Sequence, residues 1–505
     1  MEIKKGAFNN RPNITTAGLL ILIVGLSIFL RFYEIGKLSF WLDEILTASC
    51  ARGSISNLIQ TVKNDANMSL YFLLVFLENQ IFPNVSDGMQ RSLSAVFSVA
   101  SIPVVFLLGK NLEADAKKGS VIGLVAAFLI AVNAYHIEYA QEFRSYSLTF
   151  LLTASSTLLL IKILENEDTK TIWLILYTVI SAASFYSHLH ALFIIVAQAV
   201  TLPLLLVDKK KYGLKLKQIL YCLIGIILLI LPIALIAINK GPGPINWIWK
   251  PAFVDVLYLY LNISGYHGLS LLILYIAFGC FGILAGTRYP SRRDLLTRWK
   301  YSLLVSCLLL PVILTFIISN IIVPIFIDRY LLYTMPYLVL LAVSGIIALA
   351  NLAGKDGKHS FSFISIVMIT VALFSVFAGL GVKNYYKNHQ KEDWRNATEF
   401  LSTKCSKSLR VYYPNFIKKC VLYYNPTLMP VENKKLTNYL QQESVPGKSI
   451  FSVSNGYDQA CLVLSHAEIG ERAVEADNIR AALQSKYPNF SLEEFAGVII
   501  EIYQK

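Results

Sequence analysis

The strongest constraint on this chain is a recurring run of about 20 apolar residues with charges only at its ends, the length a helix needs to cross about 30 Å of hydrocarbon. Eleven such runs are found, at roughly 13–33, 91–109, 119–135, 145–163, 171–187, 190–207, 218–238, 266–287, 301–322, 330–350 and 361–382. Of the 505 residues 55% are hydrophobic and 15% charged, where a soluble domain has about a quarter charged. The chain therefore reads as a polytopic α-helical membrane protein. Residues 17–30 resemble a signal-peptide core, yet no small-residue cleavage site follows in Arg31-Phe32-Tyr33-Glu34, so this run is read as a retained helix.

Eleven crossings put the two termini on opposite sides. With the N-terminus cytoplasmic, the inner segments hold 20 Lys and Arg, including Lys209–Lys211, Lys215, Lys217 and the stretch Arg288–Lys300, and the outer loops hold nine. That asymmetry follows the positive-inside rule and places the protein in the cytoplasmic (inner) membrane with its C-terminus extracytoplasmic. The net charge of +13 thus reports topology. Basic residues spread over separate short loops make no track, so nucleic acid is excluded as a partner.

Composition changes near Val382: 48 charged residues precede Lys383 in 382 positions, and 29 lie in the last 123. We read 1–382 as a transmembrane module and 383–505 as a small soluble extracytoplasmic α/β domain. Short apolar runs at Leu409–Tyr413, Ser449–Val453, Ala460–Leu464 and Gly497–Glu501 have strand character, and Asp393–Ser402 and Asn478–Lys486 have helical character. No Gly-rich phosphate loop occurs there. The seven cysteines show no metal-ligand spacing; Cys405 and Cys420 can bridge in an oxidising compartment, with buried free thiols as the alternative.

Long connections, 34–90, 136–144, 239–265 and 323–329, all fall on the outer side, and loops of such length usually carry function. In the first, Met68–Phe82 is apolar but short, which predicts a helix at the interface or packed on the bundle. Trp41-Leu42-Asp43-Glu44 places two adjacent carboxylates that cannot share a helix face; they either divide a chemical task or cap a short interfacial helix by favourable interaction with its N-terminal dipole, with Trp41 as an interface anchor. In the second, a fourth span starting near Tyr139 would put Glu138, Glu142, Ser145 and Tyr146 near one face, with Arg144 at its mouth. There Arg144 either grips phosphate oxygens or snorkels to a nearby carboxylate. His188 and His190, at i and i+2, are poor joint helix ligands. Asp328-Arg329-Tyr330 adds a second cation, with interface anchoring as the plain alternative for Arg329.

A ligand with a phosphate at the outer interface and a lipid tail in the bilayer unites these groups, and a polyprenyl-phosphate sugar is such a ligand. Its leaving group is already a stable anion, so cations suffice to hold the developing charge. One carboxylate placed as general base or orienting acceptor would serve the incoming hydroxyl. The pattern therefore needs one essential carboxylate plus basic residues rather than the acid–base pair of a glycosidase.

With those residues in place, the chain resembles the GT-C class of membrane glycosyltransferases, in the family 39-like branch similar to protein O-mannosyltransferases and the aminoarabinose transferase of lipid A. The resemblance runs from Arg31 to about Leu401. Arg31-Phe32-Tyr33 with Phe40-Trp41-Leu42-Asp43-Glu44 resembles the first-loop acidic motif, and Gln141-Glu142-Phe143-Arg144-Ser145-Tyr146 resembles the Gln-Glu-x-Arg-x-Tyr segment. Tyr186-Ser187-His188-Leu189-His190, Asp328-Arg329-Tyr330-Leu331 with Pro336, and Asp393-Trp394-Arg395-Asn396-Ala397 also match. It implies a GT-C bundle of about 11 helices with a small extracytoplasmic α/β domain, and an inverting transfer from a polyprenyl-monophosphate sugar to a hydroxyl of a lipid, glycan or protein. Asp43 would be the catalytic carboxylate, with Glu44 shaping the site or holding a divalent ion, Mg or Mn, for which His188 is a separate candidate. Arg144, Arg329, Glu142, Tyr146, His188, His190, Lys63 and Tyr330 would bind substrate and phosphate. The chain departs from the pattern at Asp65-Ala66-Asn67-Met68-Ser69-Leu70-Tyr71, where relatives carry His-Pro-Pro before Leu-Tyr. The rival readings are a transporter or flippase of lipid-linked sugars and an oligosaccharide ligase or polymerase; internal repeats and broken spans in matching positions, the mark of transporters, are not seen.

Overall fold

A computed structural model describes residues 14–51, 53–64, 67–83, 85–166, 168–240, 247–266, 268–288, 295–353, 360–428, 456–467 and 471–505. The chain divides into two compact units: Met1–Ile35, Gly53–Asn84 and Gln90–Asn388 form the first, and Gly36–Arg52, Val85–Met89 and His389–Lys505 the second.

The first unit is a helical bundle. Among the described residues eight helices are long and apolar enough to cross a membrane, nine when the bent pair Ala116–Ala131 and Ala134–Ala140 counts as one. Leu189–Asn239 runs 51 residues, about twice what one bilayer crossing takes, and so covers two of the expected runs, 190–207 and 218–238. Thr171–Ser187, at 17 residues, is shorter than the rest, and Ser69–Ile81 is the short apolar helix expected in the first loop. Met68, at its start, is buried with a left-handed φ of 63°, a conformation that costs a non-glycine residue about 1–2 kcal/mol.

The expected 119–135 span is not straight. Its helix stops at Ala131 and restarts at Ala134 with a 63° bend, which leaves the last carbonyls of the first piece without helical partners. Arg31, fully buried, supplies them: Nη1 donates to Ala131 O (2.9 Å) and Nη2 to Ile130 O (3.2 Å), while Nε donates to Ser98 Oγ (2.6 Å). Asn133 caps the second piece through Oδ1, which accepts from His136 N at 3.0 Å. Buried polar side chains also join helices elsewhere. Gln198 Oε1 accepts from Tyr177 at 2.9 Å and its Nε2 donates to Ser156 and Thr157, and Thr157 in turn meets Tyr337 at 2.8 Å. Such bonds are worth about 0.6 kcal/mol each in membrane bundles, so Gln198→Leu is expected to lower the thermal midpoint by a few degrees without loss of the fold.

Two glycines let a pair of helices approach at the backbone. A Cβ on Gly345 would stand 1.9 Å from Phe278 O, and one on Gly282 2.1 Å from Leu341 O, so Gly268–Arg288 and Met335–Ala353 meet backbone to backbone. Small residues permit that approach in membrane bundles. Gly345→Ala should force the helices apart and cost about 1–3 kcal/mol, read as a fall in thermal midpoint of the detergent-solubilised protein.

The second unit is α/β. Its sheet has the order β1-β2-β4-β3, with β1 (Leu409–Tyr413) parallel to β2 (Gln459–Leu464), and β4 (Val498–Gln504) antiparallel to both β2 and β3 (Asn489–Phe495). Three of the expected strands are present; Ser449–Val453 lies outside the described residues, and β3 is an addition. Gly497, at φ 65°, makes the tight turn between β3 and β4. Helices Trp394–Lys404 and Glu471–Gln484 fall at the expected places. Cys405 bonds Cys461 on β2 (Cα–Cα 6.3 Å), a pairing the sequence reading did not offer, and Cys420 is a buried free thiol, the alternative it held open against a Cys405–Cys420 bond. The pairing follows from topology: Cys405 ends the helix that leads into β1, and Cys461 sits opposite Arg410 on the neighbouring strand.

Candidate functional site

Helix geometry gives the first unit its cationic cluster. The fourth span does not start at Tyr139: the chain is helical over Ala134–Ala140, turns through Gln141–Ser145, and becomes helical again at Tyr146–Glu165. Glu138, Glu142 and Tyr146 thus sit on three different pieces, which corrects the single-face expectation. The turn is pinned by Gln141, whose Nε2 donates to Arg31 O (3.0 Å) and Tyr33 O (2.8 Å) and whose Oε1 accepts from Tyr385 at 2.8 Å. Arg144 N closes the turn on Glu142 O at 2.8 Å, and Ser94 Oγ donates to Arg144 O at 2.9 Å.

Around Tyr146 the cations and imidazoles converge. Arg329 Nε donates to the Tyr146 hydroxyl at 3.2 Å, and the Arg144 guanidinium carbon is 6.0 Å from the same ring. Tyr330 lies 4.6 Å from His188 and 5.1 Å from His190, between ring centroids. His190 Nε2 meets Ile325 O at 3.0 Å, and its carbonyl accepts from Tyr333 at 2.8 Å. Burial, with His190, Arg144 and Arg329 adding repulsion, pushes the His188 pKa well down, so this imidazole is neutral. Its Nδ1 accepts from His190 N at 3.3 Å. Six of the expected binding residues, Arg144, Arg329, Tyr146, Tyr330, His188 and His190, are therefore neighbours. Glu142 is buried one turn away, and Glu138 hydrogen-bonds Tyr266, whose hydroxyl burial and that carboxylate hold neutral.

Lys63 is placed elsewhere in the same unit, at an apolar groove of about 690 Å³ walled by Leu58, Val62, Leu70, Leu73, Ala182 and Ile236. The 67–71 segment joins groove to cluster. Asn67 Oδ1 accepts from Leu189 N at 3.3 Å; Ser69 and Leu70 line the groove; Tyr71 reaches Ser94 Oγ at 2.6 Å and packs on Phe143 at 5.9 Å.

In the second unit, Leu42–Cys50 is a helix with both carboxylates in its first turn. Glu44 is fully buried beside Lys391 Nζ (3.5 Å) and Trp41 N (3.5 Å), whereas Asp43 is half-buried. The two do point differently. Glu44 and His188, each a candidate for a divalent ion, lie in different units, and among the described residues no group of three or more His, Cys, Asp or Glu is placed to hold a metal.

Sequence reasoning missed what fixes this motif. Glu392 Oε2 accepts from Leu42 N at 3.0 Å and Trp394 Nε1 at 2.6 Å, its carbonyl accepts from Ser39 Oγ at 2.6 Å, and its Oε1 meets His466 Nε2 at 2.7 Å. Its position beside Asp393-Trp394 was the available signal. The Glu392 hydrogen bond raises the His466 pKa, with Asp43 assisting. A raised folded value stabilises below the unfolded pKa of about 6.5, and that contribution is lost as pH rises through the folded value. Amides of 42–50 should therefore exchange hydrogen faster above that value, and Glu392→Gln should erase the dependence.

No protein-family model and no curated protein matches the sequence. Solved structures do. Crystal structures of ArnT from Cupriavidus metallidurans, apo and bound to undecaprenyl phosphate, match with TM-score 0.58 at 11% and 12% identity, over 97% and 96% of this chain and 98% of theirs. The archaeal oligosaccharyltransferase AglB from Archaeoglobus fulgidus, in complex with an inhibitory peptide and a dolichol-phosphate, matches at TM-score 0.55 and 13% identity, over 96% of this chain and 74% of that one. The chain has the GT-C fold. In GT-C terms, this chain comprises a multi-pass helical membrane bundle and a compact α/β unit.

Proposed function

We propose that the protein is an inverting glycosyltransferase that moves a sugar from a polyprenyl-monophosphate donor to a hydroxyl acceptor at the outer face of the cytoplasmic membrane. The observation that carries this is the apolar groove with Lys63 on its wall, tied through residues 67–71 to a cluster holding two guanidinium groups. An isoprenoid tail suits the groove and a phosphate monoester suits the cations. ArnT, one of the matching folds, was crystallised with undecaprenyl phosphate, and AglB with a dolichol-phosphate. The Cys405–Cys461 bond suits an extracytoplasmic second unit.

In the reaction the acceptor oxygen bonds to the anomeric carbon as the bond from that carbon to the phosphate oxygen breaks, on the opposite face. The electron pair leaves on the phosphate, where Arg144 and Arg329 hold the added charge. Asp43, the carboxylate that the resemblance makes catalytic, orients the hydroxyl and takes its proton. Glu142 holds the backbone turn that presents Arg144, and His188, neutral, packs Tyr330 against the cluster.

The test supplies the purified full chain with a panel of labelled polyprenyl-phosphate sugars and an extract of membrane lipid, glycan and protein as the source of acceptor hydroxyls. Release of free polyprenyl phosphate from one of them, dependent on Asp43, is expected. No release from any donor sinks the reading, and movement of intact donor across vesicles without release makes the protein a transporter.

A further inference from the structure

Next to the cationic cluster, in the first unit, is a second cavity, of about 280 Å³, whose wall mixes indoles with carboxylates: Trp247, Trp249, Tyr258, Asp255, Asp328 and Lys250. Trp249 is 81% exposed and Trp247 52%. Exposed indoles of this kind serve either as anchors in a membrane interface or as a ligand surface. The carboxylates decide between them. Asp255 and Asp328 open into the same cavity, and acyl chains laid there would desolvate two anions.

What suits indole faces and carboxylate oxygens together is a ring with apolar C–H faces and hydroxyl edges. Carboxylates only accept, each through about four lone-pair sites. Asp328 uses some on Asn262 Nδ2 (2.7 Å) and Arg329 N (2.7 Å), and Asp255 one on Ala252 N (2.7 Å); the remaining capacity matches hydroxyl donors. The cavity also adjoins the cluster: the Arg329 guanidinium carbon stands 5.9 Å from the Trp247 ring while Arg329 Nε bonds Tyr146.

We infer that the Trp247–Trp249–Asp255–Asp328 cavity is a saccharide-binding subsite, holding one sugar ring beside the phosphate-binding arginines. The inference rests on the proposed function and deepens it. The ring can belong to the donor or to a glycan acceptor, since both offer the same faces and hydroxyls.

The test uses the full chain in nanodiscs, with saturation-transfer NMR against methyl glycosides of hexoses, pentoses and N-acetylhexosamines at tens of millimolar, and a separate titration with polyprenyl phosphate carrying no sugar. At least one glycoside should bind, and Trp249→Leu and Asp255→Asn should each weaken it at least tenfold while polyprenyl-phosphate affinity stays within twofold. Leu keeps the apolar character an interface anchor needs, so glycoside binding that survives both substitutions assigns the indoles to the bilayer and overturns the subsite. So does binding of no glycoside while polyprenyl phosphate still binds. If polyprenyl phosphate itself fails to bind, the donor reading falls instead. Polyprenyl phosphate bearing a sugar that competes with the glycoside places the ring on the donor; a glycoside that binds undiminished alongside it places the ring on the acceptor.

Discussion

Asp43→Asn is expected to lower the sugar-transfer rate about 10²–10⁴-fold, the usual weight of one general base. Asn keeps the shape and a hydrogen-bond acceptor but cannot take a proton. Because Asp43 is half-buried in the first turn of Leu42–Cys50, the stability change should be small, combining the loss of its interaction with the helix dipole, about 0.3–1 kcal/mol, with the loss of its assistance to the His466 imidazolium. Glu44→Gln provides the contrast. It leaves Lys391 buried against a neutral amide, and breaking a buried pair costs about 3–5 kcal/mol, so it should show first as lost expression and a lower thermal midpoint. Full turnover in Asp43→Asn, measured on the donor identified by the panel, would remove Asp43 from the mechanism.

Arg144→Ala and Arg329→Ala are each expected to weaken polyprenyl-phosphate binding about 10–100-fold, corresponding to roughly 1.5–3 kcal/mol for a hydrogen bond to a charged group. Arg329→Lys should recover little. The guanidinium engages Tyr146 through Nε at 3.2 Å and has two further nitrogens on the same plane, whereas an ammonium is a single point of charge. Tyr146→Phe should weaken binding by a smaller factor, because it removes only the hydroxyl that orients Arg329. Native mass spectrometry or calorimetry on the full chain reads all four; unchanged affinity in both alanine variants would sink the phosphate clamp.

Much of this was legible in the sequence because hydrocarbon thickness imposes a length and turns impose charges. The apolar runs fall on helices, and Arg144, His188, His190 and Arg329, far apart in the chain, stand together around Tyr146. What escaped was set by tertiary contacts. The break at 132–133 depends on Arg31 reaching across about 100 positions to Ile130 and Ala131, which no local period reveals. β3, Asn-Phe-Ser-Leu-Glu-Glu-Phe, is mostly exposed at the sheet edge, and the charges that protect an edge from further pairing hide it from a search for apolar runs. The disulfide partner of Cys405 was fixed by which strand lies beside β1, and spacing alone left open whether Cys405 was bonded at all. Glu392 was signalled only by standing beside Asp393-Trp394, because its role, holding the amide of Leu42, depends on a contact across 350 positions of sequence.

The glycine contact between Gly268–Arg288 and Met335–Ala353 also constrains how the protein is made. The first of these helices leaves the ribosome well before its partner exists, and Leu295–Ile321 must be made and inserted in the meantime. Until Gly345 emerges, Gly282 offers the lipid a bare notch of backbone, so the bundle's register is settled late in synthesis. A truncation ending before residue 335 should accordingly be an efficient target for membrane quality control, even with every earlier segment inserted.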